Sequence, residues 1–477
     1  MAEQVGPETP DPQPKSPRWW VRHKKAVVLA AVVVAGGGTF IGDACLCSTP
    51  GGQSPSPAGT LANVWIDANG GTCVDNASEA AYADASACGS WNAAYLAADP
   101  GDTVRVAAGA TITGGTIAVD ANKAGLTTDV LFFMPTDGLV SGTLVVEAHD
   151  ITFTEFTWAG QTTAAGDTDE NAQFHVYGDN ISFISPDSSS FQVFDGDNIL
   201  IDGGDIGPCY SDVANPLCTP RIKGSSEAAK PSNVTISDTV IHDQTADSAA
   251  GACGEPTGCH TDGLAIFGSG TGVLLERNTF YNNQITNIRA QNCCSVTNDG
   301  LTIRNNMFGN AFTNAALTSW SGATLNIDTA VPGLYVGFNS FAYKTSCGTG
   351  VGCSPFIDCV SGCGTAGSPA SMVGNLVGMT STGTCGSNVS WTYNVFRQWS
   401  DGSTSTPCAG TGNTLSAYNS SLPPYTTLPA LGASGAIDFH ITGAAWDGDG
   451  QVTVGCLSTD FDGEARSSTC DAGMDER

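Results

Sequence analysis

Leu301-Thr302-Ile303-Arg304-Asn305-Asn306-Met307-Phe308 is the stretch that decides the fold, because the same phrase keeps returning. It reads Val273-Leu274-Leu275-Glu276-Arg277-Asn278-Thr279-Phe280, then Leu334-Tyr335-Val336-Gly337-Phe338-Asn339-Ser340-Phe341, then Val389-Ser390-Trp391-Thr392-Tyr393-Asn394-Val395-Phe396. Each copy is a short β-branched or apolar run, then Asn, then an aromatic. Weaker copies stand at Ile151-Thr152-Phe153, Ile181-Ser182-Phe183, Ile199-Leu200-Ile201 and Val234-Thr235-Ile236. Short strands recurring every roughly 20 to 50 residues mark a solenoid, whose units bury their apolar faces only against one another. Such a scaffold carries many functions, so the repeat settles architecture and leaves chemistry open.

The phrase also has a mechanical reading. One strand turns sharply into the next through a single left-handed residue, a conformation Asn tolerates better than most. Stacked coils then align Asn278, Asn306, Asn339 and Asn394 in a hydrogen-bonded ladder, with Phe280, Phe308, Phe341 and Phe396 as an aromatic column inside.

The composition agrees. Glycine is abundant at 59 residues and charged residues make up 13%, a mixture suited to short strands and tight turns rather than helices. A formal charge of −29 with only 17 Lys and Arg argues against nucleic acid and anionic lipid headgroups as partners. The 18 cysteines fall mostly in near-neighbour pairs: Cys73/Cys88, Cys209/Cys218, Cys253/Cys259, Cys347/Cys353, Cys359/Cys363, Cys385/Cys408 and Cys456/Cys470. No Cys-x-x-Cys array with His partners points to zinc. Small disulfide-closed loops outside the reducing cytosol account for them better. Cys293-Cys294 and Cys45/Cys47 are left open.

Residues 1–25 are Pro-rich, polar and then basic, and read as a disordered cytoplasmic-side segment. Arg18, Arg22, Lys24 and Lys25 precede the apolar run Ala26 to Ile41, so 26–44 reads as a signal or transmembrane segment. Gly42-Asp43-Ala44 suits cleavage, while Trp19, Trp20 and Val21 could extend the run toward a full span of about 20 residues. Residues 45–60 are a Pro/Gly/Ser linker. The folded domain is 61–477, opening with a short helix at Trp91-Asn92-Ala93-Ala94-Tyr95-Leu96 that suits a cap on the solenoid's end. The long intervals 209–230 and 343–388 read as loops on one side.

At these residues the chain resembles the right-handed parallel β-helix superfamily, the pectate-lyase-like fold. The head Asp99-Pro100-Gly101-Asp102-Thr103-Val104-Arg105-Val106 and the tail segments Asp438-Phe439-His440-Ile441-Thr442 and Thr459-Asp460-Phe461-Asp462-Gly463-Glu464-Ala465-Arg466 carry the likeness. It implies an all-β fold, a single right-handed parallel β-helix with a short N-terminal capping helix. Many members act on acidic polysaccharides as lyases or hydrolases; others are adhesins.

Cys259-His260-Thr261-Asp262-Gly263 is similar to the Asn-Thr-Asp-Gly motif of the polygalacturonase branch, with His260 in place of the Asn. Inverting hydrolysis needs two carboxyl groups, and one coil later this chain offers Asn282-Asn283-Gln284. Arg221-Ile222-Lys223 copies another short motif of that branch but precedes His260 instead of following the catalytic His, and reads as coincidence. Elimination needs a base and a positive group that neutralises the uronate carboxylate. Consecutive coils supply His242 and Asp243, then His260 and Asp262, then Asn287 and Arg289. Strand alternation places Asn287 and Arg289 outward if Ile288 points inward.

His260, Asp262 and Arg289 are therefore the candidate catalytic residues, with His242, Asp243 and Asn287 binding sugar. The plainer reading has Asp262 beside buried Leu264, bonding the turn. Neither an EF-hand loop nor a phosphate loop nor a nucleophile elbow occurs, and Asp447-Gly448-Asp449-Gly450 is too short to bind Ca²⁺ alone. Calcium enters only through the resemblance. The expected protein is exported or surface-held, monomeric, and binds or cleaves an extracellular acidic polysaccharide; the alternative is a non-catalytic adhesin or structural rod.

Overall fold

The computed structural model describes residues 61–123, 125, 128–159, 173–211, 219–246, 262–283, 286–292, 295–309, 324–341, 356–359, 362–377, 379–380, 386–397, 408–416, and 452, 456–461, 465–466, 470 and 472. Its strands form three long sheets: sheet A of 12 strands, sheet B of 9 and sheet C of 10. One coil shows the path. Ser232–Ser237 lies in sheet A, Val240–His242 in sheet B and Leu264–Phe267 in sheet C. Val273–Glu276 then returns to sheet A, parallel to the starting strand with Ile236 opposite Leu275. Pairings repeat this parallel register from coil to coil. The fold is a right-handed parallel β-helix, as expected.

Alternation within each strand builds the core. Ile181 and Phe183 point inward while Ser182 and Ile184 face out, and Leu301 and Ile303 repeat this against Thr302 and Arg304. The weaker phrase copies are sheet A strands, in which Ile151, Ile181, Ile199 and Val234 share one buried position. Coils stack at about 4.8 Å, so equal positions meet side chain to side chain. Each buried apolar side chain contributes about 1.5–3 kcal/mol. Aromatic rings exploit the same spacing: Phe132, Phe153 and Phe183 follow at 5.3 and 4.6 Å. Phe280, Phe308 and Phe341 follow at 5.2 and 4.8 Å. Phe396, expected as the fourth ring, instead stands opposite Val377 and packs on Trp391 at 5.5 Å.

The turn from sheet A to sheet B corrects the mechanical reading. The left-handed residue is the one before the Asn: Arg277 (φ 54°), Asn305 (52°), Phe338 (55°) and Tyr393 (56°). The Asn itself is buried and holds the ladder. Asn278 Nδ2 donates to Asn306 Oδ1 at 3.1 Å, Asn306 to Asn339 at 3.0 Å, and Asn339 to Asn375 at 3.0 Å. Asn375 donates to Asn394 at 2.9 Å and Asn394 to Asn413 at 3.2 Å. Each Oδ1 also takes the backbone N–H of the preceding rung, as Asn339 Oδ1 takes Asn306 N at 2.9 Å. Each Nδ2 closes on a carbonyl of the coil before, as Asn339 does on Ile303 O at 2.9 Å. A sharp bend strips backbone groups of strand partners, and the amide, with both a donor and an acceptor end, replaces them.

Phe338 and Tyr393 are bulky for a left-handed turn, a placement that costs on the order of 1–3 kcal/mol. Their compensation lies outside the coil. Phe338, Leu376 and Val395 form a second apolar cluster with Val452, Cys470 and Ala472, and Tyr393 and Leu457 pack against it. This C-terminal piece is closed by the Cys456–Cys470 disulfide, and Thr459 O accepts from Asn305 Nδ2 at 3.0 Å. The expected tail segment 438–442 lies outside the described residues.

The opposite end is capped by the helix Trp91–Ala97, one residue longer than expected. Ser90 accepts from Ala93 N at its start, and Trp91 packs on Phe132 and Phe156. Cys73–Cys88 and Cys359–Cys363 are disulfides, and Cys209 and Cys408 are disulfide-bonded. Cys253/Cys259, Cys347/Cys353, Cys293-Cys294 and Cys45/Cys47 lie outside the described residues, as do 1–25, 26–44 and 45–60. Among the described residues no helix is long and apolar enough to cross a membrane.

Candidate functional site

The sequence-derived candidates divide when their surroundings are read. His242 ends a sheet B strand and is 1% exposed. Its Nδ1 lies 2.7 Å from Asp243 Oδ2, and its ring stacks on Tyr281 at 4.9 Å. Nε2 approaches Asp205 Oδ1 at 2.8 Å, an ion-pair contact in which neither atom completes an aligned hydrogen bond. Burial opposes a charged imidazole here, yet the two carboxylates outweigh it and push its pKa up to about 9. His242 is thus a buried cation held in place. Asp243 is left-handed (φ 51°) and fully buried.

Asp262 is buried too, and its Oδ1 accepts from Thr286 Oγ1 at 2.7 Å. The outward position expected for Asn287 is corrected. Ile288 does point inward and Arg289 outward, but Asn287 precedes the strand, where alternation no longer applies. Its Oδ1 accepts from Asn283 Nδ2 and its Nδ2 donates to Gly309 O, both at 3.0 Å. Asn283 continues inward to Ile241 O and Gln244 N. His242, Asp243, Asp262 and Asn287 therefore sit in the polar seam of the sheet B to sheet C corner, not on an outer patch. His260 lies outside the described residues.

Arg289 leads elsewhere, to the outer face of sheet C. Register aligns two columns there. The first runs His175, Gln192, Arg221, Ala265, Arg289, Asn326 and Asp358. The second, two residues on, includes Phe194, Lys223, Phe267 and Gln291, with Tyr177 beside Phe194. Arg221, Lys223 and Arg289 bring positive charge to a chain of net −29. Arg289 Nε bonds Asp328 Oδ2 at 2.8 Å, whereas Lys223 has no ion pair or hydrogen bond among the described residues. On sheet A the outer Arg304 binds Glu276, and Arg277 at the adjoining turn binds Asp238 and Glu276.

The first column also holds polar groups without a hydrogen-bond partner among the described residues. Gln192 is 2% exposed, yet its Nε2 has no hydrogen-bond partner among the described residues. His175 Nε2 and Asn326 Oδ1 share that condition, and burial lowers the His175 pKa to about 4, leaving a neutral ring. Buried polar atoms without partners are costly and uncommon. The second column is more open, with Tyr177 43% exposed and stacked against Phe194 at 4.9 Å. Sequence reading set Arg221-Ile222-Lys223 aside as coincidence. Its charged–apolar–charged alternation was the signal that both cations share an outer face.

One group of carboxylates could hold a metal among the described residues: Asp75, Asp99 and Asp102, with oxygens within 4.8 Å of one another. Burial, then Asp102 and Asp99, raise the Asp75 pKa. This group sits where the first sheet A strands begin, beside the capping helix. Asp447 and Asp449 lie outside the described residues.

No family model matches the sequence, and no curated protein matches it. Among solved structures the chain is similar to the crystal structure of pectate lyase Pel9A, with 12% identity, 87% of this chain and 96% of that chain covered, and a TM-score of 0.46. It is also similar to PfbA, a surface adhesin of Streptococcus pneumoniae, with 10% identity, 66% of this chain and 74% of that chain covered, and a TM-score of 0.31. Neither likeness carries an argument about chemistry.

Proposed function

We propose that this β-helix binds an extended acidic polysaccharide along the outer face of sheet C. One observation carries the reading: Arg221, Lys223 and Arg289 share that face, in register, with the open aromatic pair Tyr177 and Phe194 and with His175 Nε2 and Asn326 Oδ1, which have no hydrogen-bond partner among the described residues. Sugars offer hydroxyls for amides and imidazole, and a carboxylate for a cation such as Lys223. The positive charge that a calcium ion would bring to a uronate is supplied here by side chains. The disulfides support an oxidising, extracellular setting.

Binding without cleavage is favoured over catalysis because His242, Asp243 and Asp262 are buried and committed to contacts within the fold. Among the described residues, Arg289 is the one sequence-derived candidate on the proposed binding face, where it orients and neutralises a carboxylate. A glycan array followed by assays for unsaturated and reducing ends tests both points. Acidic glycans bound without product are expected, and Arg221→Ala/Lys223→Ala should weaken binding about 10- to 100-fold. Failure of every acidic glycan to bind would refute the proposal, and product release would restore catalysis.

A further inference from the structure

The outer column of sheet B runs Thr279, Met307, Ser340, Leu376 and Val395 in register, and all five side chains are buried. On sheet A the outer residues Thr302, Tyr335 and Ser371 stay partly exposed. Leu376 and Val395 owe their burial to the C-terminal piece, since they and Phe338 pack with Val452, Cys470 and Ala472. Polar contacts rim this plug: Arg466 lies over the Phe338 ring at 5.0 Å, and Asn305 Nδ2 donates to Thr459 O at 3.0 Å.

Among the described residues the piece adds no strand to the three sheets. Its own pairings are short: Val452 and Cys470 exchange backbone hydrogen bonds at 2.9 and 3.0 Å, and Arg466 N donates to Ser458 O at 3.1 Å. Cys456–Cys470 joins its ends across 14 positions. A few side chains thus hold a segment whose ordering costs entropy at every residue. Closing a loop of that length removes conformations from the undocked state and favours docking by about 100-fold.

We infer that Cys456–Cys470 is a redox latch. Oxidised, it holds the C-terminal piece on sheet B; reduced, it releases the piece and opens the apolar strip of Phe338, Leu376 and Val395. Cys456 is partly exposed and Cys470 is buried, so the thiolate of an external dithiol attacks Cys456 Sγ. Cys470 leaves as a thiolate and takes up a proton. The second thiol of the reductant then resolves the mixed disulfide, which frees Cys456 and leaves the reductant as a disulfide. Closing runs in reverse, with a disulfide oxidant accepting the two electrons. The coils beneath stay folded in either state, because Asn339, Asn375 and Asn394 continue to bond one another.

The test is hydrogen exchange read by mass spectrometry, comparing the oxidised full chain with Cys456→Ser/Cys470→Ser, which leaves Cys73–Cys88 and Cys359–Cys363 in place. The Val452 and Arg466 amides should exchange about 100-fold faster in the variant, and trypsin should cut after Arg466 faster by a similar factor. The Asn306 and Asn339 amides should keep their protection. Unchanged exchange at Val452 and Arg466 overturns the latch, because the piece then holds without it. Loss of protection at Asn306 and Asn339 in the same step also overturns it, because the piece is then part of the folding unit. A variant that fails to fold during expression is replaced by the wild type, folded oxidised and titrated with dithiothreitol while freed thiols are alkylated and identified. Val452 exchange should then track the reduction of Cys456, and tracking another disulfide instead overturns the latch.

Discussion

Replacing Asn339 by Ala removes one rung from the middle of the ladder, and its cost can be built from individual bonds. Asn339 Oδ1 accepts from Asn306 N at 2.9 Å and from Asn306 Nδ2 at 3.0 Å. Its Nδ2 donates to Ile303 O at 2.9 Å and to Asn375 Oδ1 at 3.0 Å. Two of these partners are cushioned. Asn306 Nδ2 keeps the carbonyls of Leu275 and Arg304, and Asn375 Oδ1 keeps the Asn339 backbone N–H. The Asn306 N–H and the Ile303 carbonyl lose these bonds in a fully buried place.

At about 1–3 kcal/mol for each buried group left unmade, the expected loss is about 2–6 kcal/mol. The terminal rung Asn413 is half-exposed, so water replaces what Asn413→Ala removes and the loss should be about 1 kcal/mol. Asn339→Asp should be worse than Ala, because it keeps the acceptor but turns a charge toward two other acceptors. Denaturant unfolding followed by circular dichroism measures the totals. Hydrogen exchange across 301–309 locates the damage, which matters because stacked repeats need not unfold as one unit. A loss below about 1 kcal/mol for Asn339→Ala, or one matched by Asn413→Ala, would refute the ladder as a buried strut.

Other outcomes follow from the same geometry. His242 titrates at about 9 in the fold against an ordinary 6.5, so its contribution is complete below pH 6.5 and is lost as pH rises through 9. That contribution is on the order of 3 kcal/mol, and His242→Gln should flatten the decline in denaturation midpoint over this window; an unchanged slope would sink the assignment. Gly374 is left-handed (φ 61°), and a Cβ there would come within 2.9 Å of Phe338 Cε1. Gly374→Ala should cost about 1–2 kcal/mol, and less in a Phe338→Ala background, with additive losses counting against the contact. Asp328→Asn should free Arg289 and tighten acidic oligosaccharide binding about 3-fold; weaker binding would mean that Asp328 itself serves the ligand.

The fold was legible because its signal is repeated: a one-residue slip in any coil would turn Ile303 or Leu275 outward, and every copy of the phrase forbids it. Asn278, Asn306, Asn339 and Asn394 were readable as a ladder for the same reason. Asn375 and Asn413 were not, since Gly374 and Gly412 before them break the phrase. The site was harder to read. Asn287 looks like a strand residue in sequence, but one position before the strand its side chain answers to Asn283 and Gly309 O. His242 and Asp243 look like surface chemistry, yet they are buried neighbours in an ion cluster with the partly exposed Asp205, distant from both in the local pattern.

By itself the sequence determined the coil: which side chains enter the core, and that Asn278, Asn306, Asn339 and Asn394 occupy equal positions in the stack. Those properties depend on neighbours a few residues away and on a period that repeats. Only the tertiary structure decided which residues 20 to 40 positions apart share a face, because the segments between strands vary in length and erase any spacing. Arg221-Ile222-Lys223 is meaningless until register sets it between Phe194 and Phe267, and Phe338 is a strained residue until the C-terminal piece covers it. Local pattern chose the wall of this helix; stacking chose what the wall presents.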